Sequence, residues 1–270
     1  MVSRPQILYI TTIKYTVTRS CCTQILLSDH TFLQVQANNF LKKKRTMKKI
    51  LIPLTNHATL GNTNEANGTY APELTHALHV LIEAGFEYDL VSIKGGKAPL
   101  YGTDIDGDEV NSQMLANEDF QNRVSNTASV SQINIDDYDA VYYPGGFGLL
   151  SDLATNEDFA KLSAKHYEDG GILAAVCHGP AGFLPITLSS GKKLLAEKSV
   201  TAFSREEEID FGTIDKIPYL LEESLTRIAA QYRKVQPWQE FIIEDGRVIS
   251  GQNPGSAKAV GKAIVRQLTK

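Results

Sequence analysis

The chain has 270 residues, with 27 Lys and Arg against 31 Asp and Glu, 42% apolar residues and three cysteines. That length can bury a sizeable core as one large domain or two small ones, and the ordinary apolar fraction excludes global disorder. No apolar run approaches the roughly 18 residues of a membrane span, so a soluble, cytoplasmic protein is expected.

The net charge of −4 averages two unlike pieces. Residues 1–46 carry seven basic residues (Arg4, Lys14, Arg19, Lys42, Lys43, Lys44, Arg45) and one acid, Asp29, leaving 20 basic against 30 acidic residues in the remainder. So acidic a body excludes nucleic acid and anionic membrane as partners on electrostatic grounds. The first 46 residues show no sustained apolar period and no secretory signal. Their adjacent Cys21 and Cys22 suit neither a strain-free mutual disulfide nor a zinc site. The Lys42–Arg45 run reads as a solvated charge cluster. Residues 1–46 are therefore expected to be an extension, disordered or outside the native domain, and residues 47–270 the folded domain.

That domain opens at Met47-Lys48-Lys49, which leads into an apolar first strand, Ile50–Leu54. A Gly/Asn/Thr loop then enters a helix over Pro72–Ala84, where Leu74, Leu78, Leu81 and Ile82 share a face, Pro72 occupies the first turn and Gly85 closes the end. A second strand comes next at Tyr88–Ile93. A polar, Asp- and Gly-rich stretch runs to about Ile135 with one short helix, Glu118–Val124. Strand Ala140–Tyr143 precedes Pro144-Gly145-Gly146-Phe147-Gly148, a helix spans Glu157–Tyr167, and Ile172–Val176 is a wholly apolar strand. Further on come a strand at Ser199–Ala202, a long helix from about Pro218 to Tyr232, a hairpin of Phe241–Ile243 with Val248–Ser250, and a C-terminal helix from Ser256. Alternating apolar strands and amphipathic helices predict an α/β domain, its mostly parallel sheet sandwiched by helices and its chemistry in loops at the carboxyl ends of the strands.

Two of those loops carry chemistry. Val176-Cys177-His178-Gly179-Pro180 has the strand–turn–helix layout of a nucleophile elbow with Cys in place of Ser. Such a layout exposes the sulfur and aims a helix N-terminus at it, which predicts a thiolate. The Gly145-Gly146 loop can turn backbone N–H groups toward a developing oxyanion, and it matches neither a dinucleotide fingerprint nor a phosphate loop. Glu73, taken alone, is a favourably placed acid at a helix start. Glu73, His76 and His79 at i, i+3, i+6 diverge around the helix, and no second cluster completes a shell, so no metal site is expected. His178 is the last histidine, so no base lies C-terminal to it and amidotransferase chemistry of the Cys…His-x-Glu type is excluded.

With these residues laid out, residues 47–270 resemble the ThiJ/PfpI superfamily, whose flavodoxin-like fold is that of class I glutamine amidotransferase domains. The resemblance rests on Lys49–Leu54, Glu73 after Gly68-Thr69-Tyr70, Gly145-Gly146, Ala174-Ala175-Val176-Cys177-His178-Gly179-Pro180, and Gly251-Gln252-Asn253-Pro254-Gly255-Ser256-Ala257. The long stretch at 95–135 and Pro237-Trp238 are similar to the chaperone and glutathione-independent glyoxalase branch.

The resemblance implies Cys177 as nucleophile, His178 as its acid/base neighbour and Glu73 as a protonated carboxyl beside the sulfur. A further acid is implied among Glu206, Glu207 and Glu208, with Glu208 the first choice. Gly145, Gly146, Gly179 and Asn253 are implied to hold the substrate or its oxyanion. The implied activity is a cofactor-free glyoxalase III acting on methylglyoxal or related 2-oxoaldehydes, with their early amine adducts as further substrates and a homodimer as the assembly. A cysteine peptidase or amidase is the enzymatic alternative, although adjacent Cys177 and His178 side chains are expected to diverge. A holding chaperone or redox sensor is the non-enzymatic one.

Overall fold

A computed structural model describes residues 47–270. The readings of the preceding extension, Cys21–Cys22 and Lys42–Arg45 included, lie outside the described residues. Seven strands form the central sheet: β1 (Lys49–Leu54), β2 (Glu87–Ser92), β3 (Ala128–Ser129), β4 (Ala140–Tyr143), β5 (Ile172–Val176), β6 (Ile242–Asp245) and β7 (Val248–Gly251). Their spatial order is β6-β7-β5-β4-β1-β2-β3, and every neighbouring pair is parallel except the β6–β7 hairpin.

Period-2 alternation sends the side chains of one strand into two cores. On β1, Leu51 joins Val141, Leu173 and Ala175 beneath Phe159 and Phe183 on one face. Ile50, Ile52 and Leu54 join Tyr142, Ala174 and Val176 on the other. Helices α1 (Ala71–Glu83) and α7 (Ala257–Leu268) cover that second face with Leu74, Leu78, Val260 and Ile264. Helix α4 (Glu157–Glu168), N-capped by Asn156, covers the first. Because both faces are buried, β4 and β5 are unbroken apolar runs, which makes them legible as strands in the sequence.

Two segments depart from the sequence reading. In the polar stretch, α2 (Glu109–Ala116) precedes α3 (Glu118–Ser125); its weak apolar face hides it, and its start is marked by the cap of Asp108 on the Asn111 N–H. The long helix expected over 218–232 is shorter, running as α6 (Leu221–Ile228) after α5 (Arg205–Phe211). Gln231–Tyr232 instead pairs with Ser199–Val200 as a small parallel ladder. Hydrogen bonds from Ala230 N–H to Leu195 O and from Arg233 N–H to Val200 O capture backbone that helix propensity alone would have kept. A second small ladder, Thr69–Tyr70 with Leu100–Tyr101, brings two tyrosines together at 4.9 Å between ring centres.

Strands β1, β4, β5 and β7 run in parallel, so their carboxyl ends fall along one sheet edge. The loops leaving that edge carry Gly145-Gly146, Cys177-His178 and Gln252-Asn253.

Candidate active site

Cys177 follows the last residue of β5, and its backbone is left-handed at φ 59°. Its N–H donates to Gly251 O at 2.9 Å and its carbonyl accepts from Phe203 N–H at 3.0 Å, so neighbouring strand and loop hold a conformation that L-residues disfavour. That turn breaks the alternation of the strand. Adjacent side chains expected to diverge instead meet, with Cys177 Sγ 3.4 Å from His178 Nδ1. The other ring nitrogen of His178, Nε2, lies 2.7 Å from Glu208 Oε1, and both side chains are buried. The Thr213 hydroxyl donates to the remaining Glu208 oxygen. The tautomer that donates Nε2–H to Glu208 leaves Nδ1 as the acceptor facing the sulfur.

The three glutamates left open by sequence separate cleanly. Glu206 pairs outward with Lys234 at 2.6 Å. Glu207 completes a capping box with Ser204 and accepts from Trp238 N–H at 2.9 Å and Asn253 Nδ2 at 2.8 Å. Glu208 alone reaches His178.

Glu73 enters from the first turn of α1 and is fully buried. Burial pushes its carboxyl up to about 8; the adjacent Cys177 thiol and the Gly145 N–H favour the charged form and offset only part of the rise. Neither carboxyl oxygen has a hydrogen-bond partner of normal geometry among the described residues. At neutral pH it is therefore a carboxylic acid.

The thiol departs from expectation. Burial first, then the neighbouring Glu73, Glu207 and Glu208 carboxyl groups, push Cys177 well above the ordinary thiol range, so a resting thiolate is not what the site holds. The sulfur is not exposed at the sheet edge, since Cys177 is only 4% accessible. The chain leaves the elbow through a 3-10 turn, Gly179–Phe183, rather than an α-helix whose dipole would stabilise a thiolate. The thiol and Glu73 titrate as one unit that resists carrying two charges.

Gly145 is demanded by proximity: a Cβ there would lie 2.2 Å from Glu73 Oε2 and 2.8 Å from Cys177 Cβ. Gly146, at φ 123°, lets the loop approach Gly68 and Tyr70, where a Cβ would sit 2.3 Å from Gly68 O. Gly179 presses on the Tyr143 carbonyl. Asn253 is not brought to the substrate space, because its amide is spent on Glu207 and on Gln239 O at 2.7 Å. His76 pairs with Asp108 and His79 with Glu83, so neither joins Glu73.

A cavity of about 60 Å³ opens above the sulfur. Glu73, Cys177 and His178 supply its polar groups, and Tyr70, Tyr101, Phe147, Phe203, Phe211 and Trp238 make the rest of its wall together with Pro254. Sequence reasoning missed this aromatic wall, because its members come from six separate loops and elements with no shared period. Burial and the nearby Glu73 hold the Tyr70 phenol up to about 12, so it stays a hydrogen-bond donor. Chemically, the arrangement offers a thiol beside an imidazole, a neutral acid next to the same thiol, and a small, largely apolar chamber that all three line.

Comparison with known proteins places the chain among relatives of the same fold. Glutathione-independent glyoxalase HSP31 of Saccharomyces cerevisiae is 31% identical over 221 residues, spanning 78% of this chain and 93% of that protein. Glyoxalase 3 of Candida albicans is 27% identical over 81% of this chain and 98% of its own length. Among solved structures, glyoxalase III from Candida albicans superposes with a TM-score of 0.75 at 26% identity, covering 82% of this chain and 97% of that one. The Rapid Encystment Protein of Francisella tularensis superposes at 0.79 with 34% identity, covering 82% and 99%. The DJ-1/PfpI family pattern matches residues 65–267, from before the helix that carries Glu73 to the end of the last helix, and the chain belongs to the DJ-1/PfpI family.

Proposed function

We propose that this protein is a glutathione-independent glyoxalase that converts methylglyoxal and related 2-oxoaldehydes to 2-hydroxy acids. The observation that carries this reading is a neutral buried acid, Glu73, beside a cysteine whose sulfur is 3.4 Å from a histidine held by Glu208.

His178 Nδ1 takes the thiol proton as Cys177 Sγ bonds to the aldehyde carbon, and Glu73 gives its own proton to the carbonyl oxygen, giving a hemithioacetal. Coupling deprotonation to attack removes the need for a resting thiolate. Glu73, once it has given up its proton, is the base that removes hydrogen from the aldehyde carbon. The enediolate is then reprotonated on the neighbouring carbon, yielding the thioester of a 2-hydroxy acid. Water cleaves the thioester and restores the thiol. The sum is oxoaldehyde plus water to hydroxy acid, internally redox-balanced. In this reading backbone N–H groups near Gly146 and His178 steady the oxyanions.

The small, aromatic-walled chamber suits a compound of a few heavy atoms better than a peptide, which weighs against the peptidase alternative despite the Cys–His–Glu array. The test is lactate release from methylglyoxal without glutathione. Cys177→Ala is expected to abolish it, and retained activity in that variant would overturn the reading.

A further inference from the structure

The described residues expose few large apolar side chains, and two of them belong to the wall of the cavity: Phe211 at 55% and Trp238 at 45% accessible. Phe211 stacks on Phe147 at 6.0 Å and lies 6.1 Å from Trp238, whose indole meets Phe203 edge-on at 5.6 Å. Phe147 and Phe203 in turn flank the His178 ring at 4.5 and 4.8 Å, so the rings run without a break from the mouth to the reacting sulfur.

Trp238 is held there against its backbone preference. It is left-handed at φ 66°, the second of two non-glycine residues in that region among the described residues, and the first is Cys177. Its N–H donates to the buried Glu207 carboxylate at 2.9 Å and its indole N–H to Asp210 Oδ2 at 3.3 Å. A half-exposed tryptophan fixed in a strained conformation by a buried acid is placed for contact with something outside the protein core. No Lys or Arg side chain among the described residues lines the cavity, so nothing there neutralises an anionic substituent.

The pit above the sulfur is small enough that a dicarbonyl unit fills it, and whatever substituent the substrate carries must project into the mouth. From this geometry we infer that Phe211 and Trp238 bind the substituent R of a substrate R–CO–CHO, and that the enzyme prefers neutral aromatic 2-oxoaldehydes over methylglyoxal. This inference rests on the glyoxalase reading. Phe211 and Trp238 already touch, with ring centres 6.1 Å apart, so an aromatic R packs against their exposed faces and buries apolar surface that a methyl group cannot reach.

The test compares kcat/KM for phenylglyoxal and methylglyoxal in wild type, Phe211→Ala, Phe211→Tyr and Trp238→Ala. Wild type is expected to favour phenylglyoxal by about tenfold or more, within the range apolar pockets achieve for added apolar surface. Both alanine variants are expected to erase most of that ratio, and Phe211→Tyr, which keeps the ring, to retain it. A variant that merely folds poorly lowers both substrates alike; an unchanged ratio overturns the inference.

Trp238 is the sole tryptophan of the chain, which gives a readout independent of turnover. Acetophenone, which lacks the aldehyde, is expected to quench its fluorescence saturably in wild type and at least about tenfold more weakly in Phe211→Ala. If wild type turns over neither oxoaldehyde yet quenching saturates, the glyoxalase reading fails and the aromatic site stands. Quenching that is linear overturns the site itself. Emission that shifts with protein concentration before any ligand is added overturns it too, because a second copy would then occupy the rim.

Discussion

Glu73 is the residue on which charge, stability and chemistry meet. Its carboxyl would release a proton near 4.5 in the unfolded chain and releases it near 8 in the folded one. Between those values the folded state keeps a proton that the unfolded state has lost, so stability falls as pH rises through that window, by up to about 1.4 kcal/mol per pH unit. Glu73→Gln removes the effect. Urea unfolding at pH 5 and pH 8 is expected to show wild type losing a few kcal/mol relative to the variant across that interval; parallel pH dependences would contradict the assignment. The same titration shapes catalysis. Because the mechanism starts from Glu73 in its acid form, kcat/KM for methylglyoxal is expected to decline above an apparent pKa near 8, belonging to the Cys177–Glu73 pair and absent in Glu73→Gln. Of the candidate site, Cys177 and Glu73 were the most legible residues, one from its elbow string and the other from the resemblance, and the structure brings them to one cavity. Their protonation was less so: the expected dipole-stabilised thiolate gives way to burial, which no string of residues displays.

Helix α5 shows how one short element serves site and scaffold together. Its successive glutamates point three ways, to Lys234 outside, to the Trp238 and Asn253 segments, and to His178. Glu207 accepts from Ser204 N–H and hydroxyl as well as from Trp238, Gln252 and Asn253, so its carboxylate joins three segments of chain. Glu207→Ala leaves several buried donors without partners, each costing about 1–3 kcal/mol. Differential scanning calorimetry is expected to place its Tm about 5–10 °C below wild type, whereas an exposed neighbour change, Glu206→Ala, moves it by about 1 °C. Equal Tm values for the two variants would contradict the role given to Glu207. At this scale the sequence showed elements with strong periods, such as α1 and β5, within a residue or two. It failed where tertiary hydrogen bonds overrule propensity, as at Gln231–Tyr232, and where a helix lacks an apolar face, as at α2.

Across the whole domain, the parallel order of β1, β4, β5 and β7 does the work of assembly, collecting at one edge residues more than 130 positions apart in sequence, from Glu73 to Glu208. The alternation of apolar strands and helices made that edge predictable as the place of chemistry. The aromatic wall was not predictable, because it exists only once Tyr70, Phe147, Phe211 and Trp238 arrive from distant loops. The function proposed for this assembly turns on one event, the isomerisation of a cysteine adduct by the neutral acid beside it. That event is probed by supplying methylglyoxal without glutathione to wild type and Glu73→Gln at pH 7, and measuring lactate together with the covalent state of Cys177 by mass spectrometry. Wild type is expected to release lactate, while Glu73→Gln forms the Cys177 adduct and turns over at least about a hundredfold more slowly. Lactate release by Glu73→Gln at the wild-type rate would contradict it.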